Sequence, residues 1–169
     1  MLHNQNQQNR VFIMIKENNL APTFKLSSTN KKEFSLKDSL GNFVVLYFYP
    51  KDDTPGCTIE TVDFNKLLPQ FKKLNCEILG ISKDNLKSHD KFREKYKIKF
   101  DLLADEDLKV LKKYKVWGKK KFMGREFMGI RRTTFLINKK GKIIKVWENV
   151  RVKDHAKEVL KTLSNLSIK

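Results

Sequence analysis

Cysteine is scarce in this sequence of 169 residues, which contains only Cys57 and Cys76. Two cysteines are too few for a disulfide-stabilised scaffold, and with three scattered histidines they form no spacing typical of a zinc site. A structural metal is therefore not expected. Because disulfide-poor chains are typical of reducing compartments, the composition predicts a cytoplasmic protein, although one disulfide between the two cysteines is compatible with the count.

Long apolar stretches are also lacking. The longest strongly apolar run, residues 43–49, is far shorter than the roughly 20 residues of a membrane-spanning helix. Residues 1–11 are polar and rich in Asn and Gln, without the apolar core of a secretory signal or the Arg/Ser pattern of a transit peptide. The sequence therefore predicts no membrane-spanning segment and no membrane partner.

Acidic residues are few relative to basic ones, since 19 Asp and Glu stand against 36 Lys and Arg, a formal net charge of +17. Such a field attracts phosphates, anionic membranes and acidic partners. Arginine is nevertheless rare, with 6 residues against 30 lysines, whereas nucleic-acid recognition favours the bidentate arginine fork. We interpret the lysines as mostly solvated and do not expect nucleic acid as a partner. The alternative is a stacking surface in residues 112–132, where basic residues alternate with Trp117, Phe122 and Phe127.

The length and the 40% apolar content match one globular domain. We predict a flexible N-terminal extension over residues 1–13 and a single domain over residues 14–169. The protein starts at Met1 or, alternatively, at Met14.

Strands and helices alternate from residue 42 onward. Residues 43–49 form a continuous β-branched and aromatic run, which indicates a strand buried on both faces, and residues 77–82 indicate a second such strand. Residues 58–68 between them have helical spacing, and Pro69 is expected to kink or end that helix. Further predicted elements are helices at 85–96 and 108–114, a hairpin of residues 133–137 and 142–147, and a closing helix with Ala156, Val159, Leu160 and Leu163 on one stripe. This order predicts an α/β sandwich with a mixed sheet.

A turn rich in proline and glycine follows the first buried strand and delivers Cys57 to the start of a helix. The first backbone N–H groups of a helix are unpaired and the helix dipole is positive there, so a thiolate is favoured over a thiol. A lone cysteine is more often a small core residue, but a core residue is not expected directly after residues 52–56 in a surface turn. Cys57 is therefore predicted to be reactive.

Pro50, Thr54 and Cys57 match, with full spacing, the active-site signature Pro-x-x-x-Thr-x-x-Cys of the peroxiredoxins. Other stretches resemble the bacterioferritin comigratory protein group of that family, also called the Q-type group, and they lie at residues 20–24, 52–58, 80–84, 88–89, 114–118 and 129–135. The resemblance covers nearly all of the chain after Met14. It implies an α/β thioredoxin-like fold of the peroxiredoxin type, with a central mixed β-sheet flanked by helices, and no metal, haem or flavin cofactor.

The resemblance also implies the roles of five residues. Cys57 is the peroxidatic cysteine, which a peroxide oxidises to a sulfenic acid. Thr54 orients the peroxide through its hydroxyl, Pro50 packs over the sulfur, and the charge of Arg132 stabilises the thiolate and holds the peroxide oxygens. Glu60 matches an acidic position that orients the arginine in this group, and the alternative is a favourable acid in the first helical turn.

Three other side chains receive no catalytic role. Successive strand residues point to opposite faces, so only one of Arg131 and Arg132 can reach Cys57, and the motif selects Arg132. His89 lies on a partly buried helix face and is interpreted as a packed histidine. His155 is expected to be solvated or to cap the closing helix.

A resolving cysteine is missing from the two positions where members of this group carry one, because Val62 and Arg93 stand there. The remaining Cys76 follows the first helix. Over a dozen helical residues at about 1.5 Å each place the two sulfurs on the order of 20 Å apart, against the ~6 Å Cα separation of a disulfide. We therefore interpret Cys76 as structural and predict a one-cysteine mechanism, in which thioredoxin, glutaredoxin or glutathione reduces Cys57 from outside.

The sequence thus predicts a thiol peroxidase that reduces hydrogen peroxide and organic hydroperoxides to water and alcohols, with a role in antioxidant defence and redox homeostasis. A monomer is expected, and a dimer is the alternative. Two functions of other classes stay open: a peroxide sensor or thiol relay that passes the oxidation of Cys57 to a partner protein, and a basic protein that protects nucleic acid.

Overall fold

The computed structural model describes residues 15–167, so the predicted N-terminal extension and Met14 lie outside the described residues. The nine strands of the described part are β1 (Lys25–Ser28), β2 (Glu33–Ser35), β3 (Phe43–Phe48), β4 (Cys76–Ser82), β5 (Leu102–Ala104), β6 (Trp117–Phe122), β7 (Arg125–Ile130), β8 (Thr133–Ile137) and β9 (Ile143–Trp147). The α-helices are α1 (Pro55–Lys73), α2 (Leu86–Tyr96), α3 (Lys109–Lys113) and α4 (His155–Ser167), and a short 3-10 helix covers Leu36–Ser39. Within residues 15–167, none of the helices is both long enough and apolar enough to cross a membrane.

Seven strands form one mixed sheet in the order β2-β1-β5-β4-β3-β8-β9. The central strands β3, β4 and β5 are parallel, and β8 runs antiparallel to β3. Helix α1 connects β3 to β4, which confirms the predicted βαβ unit, and the β8–β9 hairpin is also confirmed. The remaining strands, β6 and β7, pair with each other in a separate two-stranded sheet.

The core lies on both faces of the seven-stranded sheet, as the continuous apolar pattern of β3 predicts. Val44, Leu46 and Phe48 belong to the cluster on one face, whereas Val45 and Tyr47 belong to the cluster on the other face. This alternation follows from the period of two along a strand. Both faces of β3 are therefore packed in the core, and the loop that follows its carboxyl end carries the site described below.

The first helix does not end at Pro69, which was one alternative of the prediction, because α1 continues to Lys73. Proline removes one backbone donor from the helical ladder, but Leu68 and Phe71 on either side of it are buried in the core. Their burial stabilises the last turn of α1 and outweighs the missing hydrogen bond. The helix also begins three residues earlier than predicted, because Pro55 fits the first helical position.

Two further expectations need correction. No strand is predicted between the helix at 108–114 and the strand at 133–137, but the β6–β7 hairpin lies there, and its lysine-rich strands lack the alternating apolar pattern of a half-buried sheet. His155 is buried rather than solvated, and its Nε2 lies 2.8 Å from the Thr134 hydroxyl. Burial lowers the pKa of His155 to about 4, because its ring packs edge-on against Phe64 and Trp147.

Candidate active site

The loop between β3 and α1 places Cys57 in the first turn of a helix. Asp53 adopts a left-handed conformation at φ 57°, which turns the chain sharply toward α1. Thr54 is the residue before the first helical turn, and its carbonyl accepts a hydrogen bond of 2.8 Å from the Thr58 N–H. Cys57, whose side chain is fully buried, therefore lies in the first turn of the helix, where the backbone N–H groups have no partner within the helix.

Arg132 links Cys57 to Glu60. Its Nη2 donates a hydrogen bond of 3.3 Å to the Cys57 sulfur, and its Nη1 donates one of 2.8 Å to Glu60 Oε1. The Arg132 side chain is 17% exposed, whereas the Glu60 side chain is fully buried. The planar fork of arginine thus joins a sulfur and a carboxylate that lie one helical turn apart.

The neighbouring Arg131 does not share this arrangement. It is exposed, and its Nη2 donates to the Lys115 carbonyl at 2.9 Å. The structure thus brings Arg132, and not Arg131, to the cysteine.

Burial and charge act in opposite directions on Glu60 and Arg132. Burial raises the pKa of Glu60 to about 7, although the charge and the hydrogen bond of Arg132 act in the opposite direction. For Arg132, burial acts to lower the pKa, but the charges of Glu60 and Cys57 outweigh it, and the pKa is raised. Glu60 Oε2 is buried without a hydrogen-bond partner among the described residues. The pair therefore keeps the arginine charged and allows Glu60 to exchange a proton near neutral pH.

The other two predicted site residues border the cysteine loop. Pro50 is half-buried directly after β3 and Tyr49. The Thr54 hydroxyl donates a hydrogen bond of 2.8 Å to the Lys51 carbonyl, which ties the two sides of the loop together. The hydroxyl oxygen keeps its lone pairs for a second donor.

Gly56 is a site residue that sequence reasoning missed. A side-chain carbon at this position would come within 3.1 Å of Arg132 Nη2. Glycine thus leaves the space through which the guanidinium reaches the sulfur. The signal lay in the motif itself, where Gly56 directly precedes the cysteine.

Lys120 was also missed, because nothing in its lysine-rich stretch distinguishes it from its neighbours. Its Nζ donates a hydrogen bond of 2.8 Å to the Ile130 carbonyl. Burial and then the charge of Arg132 lower the pKa of Lys120, whereas Cys57 acts in the opposite direction. A second cation therefore stands within electrostatic range of the sulfur.

A buried hydrogen-bond network supports the cysteine loop from behind. Asp52 accepts hydrogen bonds from the hydroxyls of Tyr49 at 2.6 Å and Ser88 at 2.7 Å, and its Oδ2 lies 2.7 Å from His89 Nδ1. His89 Nε2 donates to the Leu103 carbonyl at 2.9 Å. His89 is fully buried, so this helix face is more deeply packed than the sequence indicated, and the interpretation as a packed histidine holds.

The same network contains a group of potential metal ligands. Ligand atoms of Asp52, Asp84 and His89 lie within 4.8 Å of one another. Each group is already engaged by the protein, since Asp84 Oδ2 accepts hydrogen bonds from the Asp52 N–H and the Ser82 hydroxyl. These side chains therefore stabilise the cysteine loop through hydrogen bonds within the protein.

Cys76 lies at the opposite end of the central strands. It pairs with Phe43 at the beginning of β3, whereas Cys57 follows the other end of that strand. Five residues of strand at about 3.3 Å each put the two cysteines on the order of 16 Å apart. In the described part of the chain, which includes both cysteines, they are free thiols, and burial raises the pKa of Cys76 to about 12.

A thioredoxin-like sheet that presents a buried cysteine at a helix start, in contact with an arginine, defines the class of the peroxiredoxins, which are thiol peroxidases. The family model described as the AhpC/TSA family matches residues 18–146. The chain belongs to this family, and within it to the bacterioferritin comigratory protein or Q-type peroxiredoxins.

Several bacterial relatives match this chain over nearly their whole length, which supports this assignment. Peroxiredoxin Bcp of Bacillus subtilis is 46% identical over 149 residues, which cover 88% of this chain and 95% of that protein. The bacterioferritin comigratory protein of Xanthomonas campestris has a structure that matches with a TM-score of 0.81 at 40% identity, over 85% of this chain and 92% of that one. A cysteine-to-serine variant of PrxQ from Xylella fastidiosa matches with a TM-score of 0.83 at 37% identity, over 90% and 99% of the two chains.

The titration of Glu60 predicts a pH dependence of stability. Because the folded chain keeps the Glu60 proton up to about pH 7 and the unfolded chain releases it near 4.5, the folded state binds more protons between these values. The free energy of unfolding therefore falls as the pH rises through this window, by up to about 3 kcal/mol from this group. Denaturant titrations of the wild type and Glu60→Gln from pH 4 to 8 measure it, and parallel curves for the two proteins would contradict the prediction.

Loss of the His89 ring is expected to destabilise the fold. In His89→Leu, the Asp52 carboxylate and the Leu103 carbonyl lose a buried partner, which costs about 3 kcal/mol of unfolding free energy. Ser88→Ala removes one of the donors to Asp52 and should cost about 1 kcal/mol. Urea denaturation of both variants measures the difference, and equal stabilities of the two variants would contradict the prediction.

Proposed function

We propose that this protein reduces hydrogen peroxide and organic hydroperoxides through Cys57 by a one-cysteine mechanism, in the cytoplasm. The observation that carries the proposal is the contact between Arg132 Nη2 and the Cys57 sulfur at a helix start. The bacterioferritin comigratory protein of Xanthomonas campestris has alkyl peroxide reduction activity, which supports organic hydroperoxides as substrates.

The oxidation step is a displacement at a peroxide oxygen. The Cys57 thiolate attacks the terminal oxygen, so that an S–O bond forms, the O–O bond breaks, and the alkoxide or hydroxide leaves with a proton as alcohol or water. Arg132 donates to the sulfur and to the peroxide oxygens, and the Thr54 hydroxyl and the Cys57 N–H hold the peroxide. Pro50 keeps water from the sulfur. The product is the Cys57 sulfenic acid.

Glu60 has two functions in this proposal. Its carboxylate orients the Arg132 guanidinium through the 2.8 Å hydrogen bond. Burial raises its pKa to about 7, so that Glu60 exchanges a proton at neutral pH. A proton is needed at the leaving oxygen when the O–O bond breaks.

Recycling uses two equivalents of an external thiol, from thioredoxin, glutaredoxin or glutathione. The first thiol attacks the sulfenic sulfur and releases water, which leaves a mixed disulfide. The second thiol breaks this disulfide and regenerates Cys57 while the reductant is oxidised. The burial and the high pKa of Cys76 support an external thiol over a second cysteine of the same chain.

The test is a titration of the reduced protein with one equivalent of peroxide, followed by intact mass and peptide mapping. The proposal expects the added mass of one oxygen atom on the peptide that contains Cys57, followed by steady turnover with one of the three thiols. An oxygen on another residue would overturn the assignment of Cys57. Oxidation of Cys57 without recycling by any of the thiols would instead indicate a peroxide sensor.

Replacement of Cys76 is expected to leave turnover unchanged. Because the Cys76 thiol is buried and protonated at the start of β4, at the end of the central strands opposite Cys57, Cys76→Ser should keep the rate of the wild type within about twofold with each thiol. Peroxidase assays and non-reducing gels of the two proteins check this. A disulfide between Cys57 and Cys76 in the oxidised wild type would contradict the one-cysteine mechanism.

A further inference from the structure

The β6–β7 hairpin, defined by Trp117–Phe122 and Arg125–Ile130, carries an unusual concentration of exposed apolar side chains. Of the eight large apolar side chains that are exposed in the described part of the chain, four lie between residues 122 and 128. They include Phe122, 68% exposed, and Met123, 88% exposed. In residues 15–167 the two strands pair with each other and not with the seven-stranded sheet, and residues 121–128 are all exposed.

The apolar side chains surround the tip of the hairpin. Phe122 pairs with Arg125 across the hairpin, and the turn between them consists of Met123 and Gly124, both at positive φ. Phe127 shares a face with Phe122, and Met128 lies on the opposite face, because strand side chains alternate. The tip is therefore apolar at the turn and on both sides of it.

Cations flank this apolar tip. The hairpin contains Lys119, Lys120, Lys121 and Arg125 against a single acid, Glu126. Glu126 lies 3.5 Å from the Lys121 ammonium, and the Lys120 ammonium is engaged by a backbone carbonyl. Lys119 and Arg125 are exposed cations without an acid opposite them in the strand pairing.

We propose that the β6–β7 hairpin docks the protein on the surface of an anionic lipid bilayer. An apolar tip enters the boundary between headgroups and acyl chains, while the cations beside it bind the anionic headgroups. The charge of the hairpin, like the net charge of +17, is complementary to such a surface. The proposal departs from the sequence-based expectation of no membrane partner, which was drawn from the lack of a membrane-spanning segment.

The position of Met123 favours a bilayer over nucleic acid. Base stacking uses the flat faces of aromatic rings, and it would engage Phe122 and Phe127 but leave the turn in water. Insertion of the tip into lipid buries Met123, the most exposed of the four apolar side chains, together with Phe122.

Docking would also orient the active site. The hairpin ends at Ile130, two residues before Arg132, and Lys120 joins its two strands near the cysteine. The base of the hairpin beside Arg132 therefore lies on the order of 17 Å along the strands from the docked tip.

The test measures co-sedimentation of the full chain with vesicles of phosphatidylcholine alone or mixed with an equal share of phosphatidylglycerol, at about 150 mM salt. We expect binding to the anionic vesicles only. Phe122→Ser combined with Met123→Ser should weaken this binding more than about tenfold, because the inserted apolar area is lost. The rate of hydrogen peroxide reduction without vesicles should stay unchanged in this variant, which verifies its fold, and the binding measurement does not depend on the proposed peroxidase function.

A second pair of variants separates the hairpin from the general charge of the protein. Lys119→Gln with Arg125→Gln should weaken binding by about fivefold for each cation removed. The matched control is Lys157→Gln with Lys161→Gln, which removes the same charge from the exposed face of α4 and should change binding by less than about twofold. Equal losses in the two pairs, or full binding of the tip variant, would overturn the proposal. So would a tip variant that loses affinity for single-stranded DNA or for a second copy of the chain while it keeps its affinity for vesicles.

Discussion

Replacement of Cys57 with serine is expected to abolish peroxide turnover. A serine oxygen at this position keeps the helix start and the contact with Arg132, but a hydroxyl is a far weaker nucleophile toward a peroxide oxygen, and it cannot cycle through a sulfenic acid. The variant should fold normally, because the change is small. Stopped-flow assays with hydrogen peroxide and a thiol reductant measure the loss.

The matched control for this variant is Cys76→Ser. It makes the same sulfur-to-oxygen change at the buried first residue of β4. Any residual turnover in Cys57→Ser that disappears in the double variant would assign peroxide chemistry to Cys76. The proposed mechanism would then be wrong.

Removal of the Arg132 charge is expected to slow the oxidation of Cys57 by about 10²–10³-fold, the usual cost of losing one donor to a charge that develops in a transition state. Arg132→Met loses the donor to the sulfur and leaves Glu60 buried beside a methyl group, so the pKa of Glu60 should rise further because the opposing charge is gone. Arg132→Lys should recover only part of the rate, since an ammonium cannot bridge both the sulfur and Glu60 Oε1 as the planar fork does.

Arg131→Met is the control for these variants, because it removes the same charge from the neighbouring residue. The Arg131 side chain donates to the Lys115 carbonyl and not to the cysteine. We expect its oxidation rate to stay within about twofold of the wild type, as for other exposed charges. Single-turnover oxidation, followed by intact mass at fixed times, separates this step from recycling. Similar losses in the two methionine variants would show that Arg132 acts through the general field and not through its contact with the sulfur.

The elements that could be predicted from the sequence are those in which one pattern decides the outcome. The apolar run of β3 is confirmed as a central strand because burial on both faces leaves no other arrangement for it. The turn before Cys57 and the helix after it were likewise predictable, because proline and glycine restrict the backbone there. These features are local, so a short window of sequence contains their cause.

Other features depend on contacts between distant segments. Arg132 and Glu60 are 72 residues apart, and the motif suggested both without giving the distance between them. His155 seemed solvated on its own helix, but the rings of Phe64 and Trp147 from other elements bury it. Pro69 breaks a helix by its local chemistry, and only the burial of Leu68 and Phe71 against the sheet reverses that outcome.

The complete burial of the Cys57 sulfur sets the order of events during recycling. A protein-sized thiol cannot attack an atom that is 0% exposed, so the first turn of α1 must open before each reduction. That turn contains no acidic residue to stabilise the helix start electrostatically, and within residues 15–167 the Thr54 side chain makes no capping bond to it. Its local free energy of opening is therefore lower than that of the rest of the helix. Amide exchange at residues 56–58 should report this opening, and the opening rate sets an upper limit on the rate at which a protein reductant can reduce oxidised Cys57.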